Sequence, residues 1–340
     1  MNKRDIKSML PQELNEYFKS IAQPAYRAEQ TYKWLHSGAP GFEAMTNLPA
    51  ALRGRLNDEF FISPPEIAKK LISEIDGTVK YLWRYSDGNA VESVVMQYDH
   101  GNTVCVSTQA GCRMGCLFCA SAIGGLVRNL TASEIEDQVF CSQKDSGKRI
   151  SGIVLMGTGE PLDNFDNVLC FLRNIIHPLG MNIGARHITL STCGIVPNID
   201  KLAETDIQLT LSVSLHAPDD DTRSRIMPAN RGTGVDEIFK ACQRYFAATG
   251  RRITFEYAMI DGINDTLEHA VLLAGRLKKT GSHLNLILLN DVPERQLKAT
   301  NAANLRAFTG LLRREGVNFT IRRRLGADIN AACGQLRREN

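Results

Sequence analysis

Residues 105–119 read CVSTQAGCRMGCLFC, four cysteines in fifteen positions. Cys112, Cys116 and Cys119 form a C-x3-C-x2-C array, and Cys105 stands seven residues upstream, outside that spacing. Three thiolates on one short loop can converge on one face of a metal centre. A structural zinc site wants four protein ligands, usually as two separated pairs. On a four-iron, four-sulfur cluster, three ligands leave one iron open to a substrate. A structural metal, or plain buried thiols, are the other readings of the array taken alone.

The array follows the first of six apolar runs: VCVST (104–108), GIVLMG (152–157), HITLST (187–192), LTLSVSLH (209–216), ITFEYAMI (253–260) and LNLILLN (284–290). Helical stretches such as GVDEIFKACQRYFAATG and NAANLRAFTGLLRREG alternate with them. Alternating strand and helix predicts an α/β fold with a parallel sheet. Six units suit a curved, partial (β/α)6 barrel, although closure is not visible in periodicity. VNFTIRRR (317–324) is a candidate last strand. In parallel barrels, ligands collect at the C-terminal ends of the strands. The unusual residues cluster there: the cysteine array, GTGEPLDN (157–164), Ser191, Ser214 to His216, and Asn290.

Outside this core, residues 1–75 are expected to be helical, from the spacing in LPQELNEYFKSI, AYRAEQTYKWLH and LPAALRGRLNDEF. KYLWRY (80–85) and AVESVVMQY (90–98) flank an Asp-Gly turn and predict a hairpin. The expected organisation is 1–75 as a helical accessory domain, 76–103 as a β-hairpin extension, 104–316 as the (β/α)6 core, and 317–340 as a last strand and tail. Length, at 340 residues with 43% hydrophobic, allows a large core. Net charge is only +3, but Arg313, Arg314, Arg322, Arg323, Arg324, Arg337 and Arg338 crowd the C-terminus against Glu315, Asp328 and Glu339. Such a stripe can track phosphates or be a solvated surface. The charged N-terminus has no signal-peptide pattern and no apolar run reaches membrane length. A cytoplasmic protein without a membrane partner is the expectation, so its nine cysteines are read as thiols, metal ligands or catalytic groups.

The C-x3-C-x2-C array after the first strand resembles the hallmark of the radical S-adenosylmethionine superfamily. That resemblance assigns Cys112, Cys116 and Cys119 to a [4Fe-4S] cluster. It assigns Gly159, Glu160, Ser191, Ser214, Leu215, His216 and Asn290 to S-adenosylmethionine. It further implies that the open iron binds S-adenosylmethionine and that the product is a 5′-deoxyadenosyl radical. The stretches GGLVRNLTASEI, GTGEPLDN, HITLSTCGIVP, SLHAPDDDTRSRIMP and DINAACGQL narrow the resemblance to the RlmN/Cfr class of RNA adenosine methyltransferases, over essentially the whole chain. Cys141, Cys170 and Cys242 sit in helical apolar patterns and read as small hydrophobes. Cys193 stays unassigned.

For Cys105 and Cys333, 228 residues apart, spacing cannot show that they meet. The resemblance implies that they do. Cys333 first takes a methyl group, and a second S-adenosylmethionine yields the radical that activates it. The resulting carbon adds to adenine, Glu92 accepts the ring proton, and Cys105 resolves the adduct as a transient Cys105–Cys333 disulfide. Alone, Glu92 would be an ordinary strand carboxylate. The implied targets are adenosine 2503 of 23S rRNA and adenosine 37 of tRNAs, with an electron donor for the cluster and a monomeric enzyme. Pro161 in GTGEPL resembles the carbon 2 methylating members; the carbon 8 (Cfr-type) members tend to carry alanine there. DVPER after Asn290 departs from the family's usual pattern. An RNA-binding protein with a structural metal site is the non-enzymatic alternative.

Overall fold

The computed structural model describes residues 3–290 and 292–336; Asp291, and Arg337, Arg338 and Glu339 of the basic tail, lie outside them. The chain opens with β1 (Arg4–Asp5), α1 (Pro11–Ser20), α2 (Ala25–His36), α3 (Ala50–Glu59) and β2 (Phe60–Phe61), which pairs with β1 in parallel. Pro11 occupies the first helical position of α1, where its missing N–H costs nothing. Leu14 and Phe18, four residues apart, face inward on the same helix. With Tyr32, Leu35, Leu52 and Leu56 they build a core separate from that of the sheet.

The unit docks on the main body through buried polar contacts. Lys7 pairs with Asp137, His36 Nδ1 lies 2.6 Å from Glu136 Oε1, and Tyr32 OH donates to Asn174 Oδ1 at 3.0 Å. Helix does not extend to residue 75 as expected. α3 ends at Glu59, where Phe60 and Phe61 turn extended to pair with β1; Pro64 and Pro65 keep the next residues out of a helix, and β3 (Glu66–Ile72) follows as a strand. β3, β4 (Val79–Arg84), β5 (Ala90–Tyr98) and β6 (Gly101–Cys105) then run antiparallel to one another. The hairpin expected over 76–103 is therefore the middle of a four-stranded meander.

After β6 a small ribbon, β7 (Gln109–Gly111) and β8 (Leu126–Asn129), encloses the cysteine loop. Then come α4 (Ala132–Ser146), β9 (Ile150–Leu155), α5 (Phe165–Ile176), β10 (Ile188–Thr192), α6 (Val196–Ala203), β11 (Thr210–Ser214), α7 (Asp220–Ile226), α8 (Val235–Thr249), β12 (Thr254–Met259), α9 (Leu267–Leu277), β13 (His283–Leu288), α10 (Ala302–Arg314) and β14 (Phe319–Ile321). Thr131 caps α4 with Glu134 in a reciprocal capping box.

The ten-stranded sheet has the order β14-β13-β12-β11-β10-β9-β6-β5-β4-β3, parallel from β14 through to β6. The parallel α/β reading holds, with β14 as a seventh parallel strand. No pairing joins β14 to β3 among the described residues, so the barrel is open there. Fully buried Leu190, Leu211, Val213, Phe255 and Leu284 fill the sheet core, each contributing about 1.5–3 kcal/mol on burial.

Candidate active site

The loop between β7 and β8 turns Cys112, Cys116 and Cys119 toward one cleft at the C-terminal ends of the parallel strands. Cys112 N donates to Gly125 O at 3.1 Å, and Leu117 N to Ile226 O at 2.9 Å, fixing both limbs of the loop. Burial pushes the Cys112 thiol up to about 12, and the neighbouring Cys119 adds to that. Burial, then Cys119 and Cys112, raise Cys116 as well. Unmetallated, these would be inert neutral thiols; a metal is what makes such thiols thiolates. Among the described residues no three His, Cys, Asp or Glu side chains close on a single ion. The three thiols would hold a cluster rather than a single ion.

The opposite wall of the cleft is the GTGEP turn after β9. A Cβ on Gly157 would lie 2.7 Å from Val106 O, and one on Gly159, at φ +113°, would lie 2.8 Å from Gln109 N. Glycine is required at both because two strand ends approach backbone to backbone. Glu160 is buried and receives hydrogen bonds from Leu162 N (3.0 Å) and Cys193 N (2.7 Å). Burial raises its pKa, and the Cys193 amide opposes the rise. Ser191 and Ser214 face each other with hydroxyls 3.5 Å apart.

His216 has φ +57° and its Nδ1 accepts from Ala258 N at 2.8 Å. Burial, then the Arg223 charge, holds its pKa down at about 3, so the ring is neutral. Phe118 packs edge-on against it at 4.6 Å. All of these line the cleft. Leu215 does not: its side chain is fully buried in the sheet core. At the end of a strand, neighbouring residues point to opposite faces, so Ser214 and Leu215 cannot both look into the cleft.

Cys333 arrives from the C-terminal tail. Ala120 N donates to Gly334 O at 2.8 Å and Ser121 Oγ to Leu336 O at 2.6 Å, tying the tail to the cysteine loop. On the other side Ser73 Oγ donates to Asp328 Oδ1 at 2.7 Å, and Gly326 N to Asp76 Oδ2 at 2.9 Å. The tail thus bridges the cysteine loop and the antiparallel edge of the sheet. Asn290 Nδ2 donates to Cys333 O at 2.9 Å, while its buried Oδ1 has no partner among the described residues.

Exposed Cys333 lines the cleft and also a second cavity behind it, where Cys105 sits with Val94, Met96 and Tyr98. Burial, then the charge of Cys333, pushes the Cys105 thiol up to about 12. Arg322 lines both spaces; Cys333 is the leading cause of its raised pKa, and its Nη1 lies 3.5 Å from buried Glu256 Oε2.

Glu92 lies on the face of β5 that also carries Val94, Met96 and Tyr98, as strand alternation demands. Its carboxylate does not reach the cavity shared by Cys105 and Cys333. It lines a small recess with Lys69, Leu71, Lys80 and Leu82, with Lys80 Nζ 2.7 Å from Oε1. The structure brings the other nominated residues, Leu215 apart, around one mouth and sets Glu92 beside it.

Comparison with known proteins agrees with this geometry. A family model described as the radical SAM superfamily matches residues 106–274, and one described as ribosomal RNA large subunit methyltransferase N-terminal domain matches 5–62. A protein from Clostridium tetani named "Probable dual-specificity RNA methyltransferase RlmN" is 49% identical over 96% of this chain and 94% of its own. One of the same name from Pelotomaculum thermopropionicum is 51% identical over 98% of this chain and 92% of its own. The chain belongs to the RlmN family. A crystal structure of a radical SAM methyltransferase from Sphaerobacter thermophilus, 41% identical, superposes with a TM-score of 0.92, covering 98% of this chain and 99% of that one.

As an RlmN family member within the radical SAM superfamily, the chain uses a [4Fe-4S] cluster and S-adenosylmethionine, and its residues fit both. Three thiols face a cleft whose opposite wall is a glycine cradle, with an orphaned amide oxygen on Asn290. The sequence reading missed Arg223. It is 1% exposed, and it donates to Leu215 O (3.0 Å), Cys193 O (2.6 Å), Ser214 O (3.0 Å) and Asn230 Oδ1 (2.8 Å). It binds the ends of β10 and β11 together and sets a positive charge beside Cys116 and Cys193. An arginine inside SLHAPDDDTRSRIMP was its visible signal, but its burial was not. Cys193 proves to be cleft wall whose amide and carbonyl hold Glu160 and Arg223.

Proposed function

We propose that the chain methylates carbon 2 of adenosine in RNA, at position 2503 of 23S rRNA and position 37 of tRNAs, through a methyl group carried on Cys333. The observation that carries this reading is that Cys333 lines both the cleft of the cysteine loop and the cavity of Cys105. Cys112, Cys116 and Cys119 would hold the cluster; Gly159, Glu160, Ser191, Ser214, His216 and Asn290 would surround S-adenosylmethionine. The bound pair supplies the methyl group and the one-electron chemistry.

The chain's own residues do the rest. Cys333 sulfur accepts the methyl; the methyl carbon gives up one hydrogen atom and bonds to the adenine ring, joining RNA to protein, and the adduct gives up one electron, the hydrogen atom and the electron both being taken up by the one-electron chemistry that the bound pair would supply. Glu92 takes the ring proton. Cys105 thiolate then attacks Cys333 sulfur: an S–S bond forms and the S–C bond breaks. The released electron pair goes to carbon, which takes up a proton as the new methyl. A two-electron reductant returns both thiols. Adenine must leave its stack to reach so enclosed a site. The N-terminal unit and the arginines around 322–324 are the surfaces suited to grip the RNA.

Anaerobic reconstitution with iron and sulfide, followed by turnover on a 23S rRNA fragment and nucleoside mass spectrometry, tests this. 2-Methyladenosine is expected. 8-Methyladenosine, or a colourless zinc protein that leaves the RNA unmodified, overturns it. A tRNA substrate run in parallel tests the second target.

A further inference from the structure

We propose that Lys80 is a positioning residue that couples the proton acceptor Glu92 to the chain segment carrying Cys333, an inference that rests on the role given to Glu92 above. The register of β4 and β5 pairs Leu82 with Glu92 and Lys80 with Val94. Lys80 therefore reaches diagonally across one face of the sheet. Its Nζ lies 2.7 Å from Glu92 Oε1 and also donates to Asn330 O at 3.3 Å. The two side chains are 10% and 2% exposed. Asn330 sits three residues before Cys333, in a left-handed turn at φ +51°. One ammonium has three donors and here touches both halves of the reaction.

Burying a lysine and a glutamate together is seldom the most stable way to fill a sheet face, so the pair calls for a role. Lys80 holds the Glu92 carboxylate in one place on the sheet face. Because the same ammonium holds the Asn330 carbonyl, the acceptor is poised when the tail is docked. When the C–H bond of the ring breaks, the proton passes to the Glu92 carboxylate and the electron pair stays in the nucleotide ring. Among the described residues, the charged groups that line the recesses around the pair are Lys69 on β3, and Glu294 and Asp328 in front of Lys80. Asp328 is already held by Ser73 Oγ and Glu74 N.

The test uses reconstituted full-length enzyme and RNA, with K80Q, K80M, K80R and E92Q beside wild type. Three readouts are taken: the methyl on Cys333 by intact mass, the covalent protein–RNA adduct on denaturing gels, and kcat and KM of product formation. K80Q and K80M are expected to carry the Cys333 methyl at the wild-type level and to lose about tenfold or more in kcat with KM little changed, while K80R keeps most of the rate. K80Q or K80M with a wild-type kcat overturns the proposal, as does K80R behaving like K80M. If E92Q forms product like wild type, the role of Glu92 itself is what fails. If E92Q stalls while K80Q does not, only the Lys80 coupling fails. Should K80M not fold, K80Q, which keeps a donor for Asn330, decides the matter.

Discussion

The cysteine loop and the C-terminal tail each bring thiols to the same mouth by different means. Cys112, Cys116 and Cys119 meet because eight residues of one loop are clamped between β7 and β8 and held by Gly125 and Ile226 carbonyls. Cys333 lines one cavity with Cys105 because a tail is pinned on one side to the cysteine loop and on the other to the turn after β3. The first arrangement is local, the second a matter of long-range contacts. The local site depends on few contacts from elsewhere, and the long-range one on several anchors at once.

The sharpest break in this comparison is Cys333→Ala. RNA methylation should fall to background and the protein should carry no methyl, while iron and sulfide content stay at wild-type levels; retained turnover would show that the tail thiol is not needed. Cys105→Ala should stop later, accumulating a covalent protein–RNA species on denaturing gels after one turnover. Multiple turnover by that variant would remove Cys105 from the resolving role.

Arg223→Met leaves the Leu215, Ser214 and Cys193 carbonyls without their buried donor. It should cost about 3 kcal/mol or more in a denaturant titration and weaken iron retention, an effect on the loop side alone. Asn290→Ala removes one hydrogen bond from the tail to the cleft, worth about 1 kcal/mol. It should slow RNA methylation a few-fold and spare cluster content; an equal loss of iron would argue that Asn290 serves the loop instead.

The pH dependence is the gentlest probe. The Cys105 thiol is raised to about 12 by burial and by Cys333, and only the thiolate attacks. Below that value each unit of pH multiplies the thiolate by about ten. Decay of a preformed adduct should therefore quicken as pH rises from neutral. A rate flat with pH would mean that Cys105 is already ionised once RNA is bound.

Much of the parallel core was legible, because strands buried on both faces read as continuous apolar runs. The limits were at its edge. EIAKKLI (66–72) carries apolar residues at a spacing that either element allows, and pairing with β4 decides for strand. The cleft was legible where glycine or cysteine marks a strand end, as at Gly159 and Cys112. It was not legible for Leu215, whose neighbour Ser214 takes the inward face, nor for Arg223 and Lys80. A charged residue in a sequence reads as surface until its buried partners are known.

CVSTQAGCRMGCLFC by itself determined that three thiols would share a loop, since seven residues of chain cannot carry them far apart. It also left Cys105 outside that set. What Cys105 faces was decided by tertiary structure alone. The order of β6, β5 and β4 and the anchoring of residues 326–336 across the mouth place Cys333 in its cavity. They also place Lys80 between Glu92 and Asn330. Local spacing is fixed by bond lengths. Contact across 228 residues depends on a whole sheet and its tail folding in register.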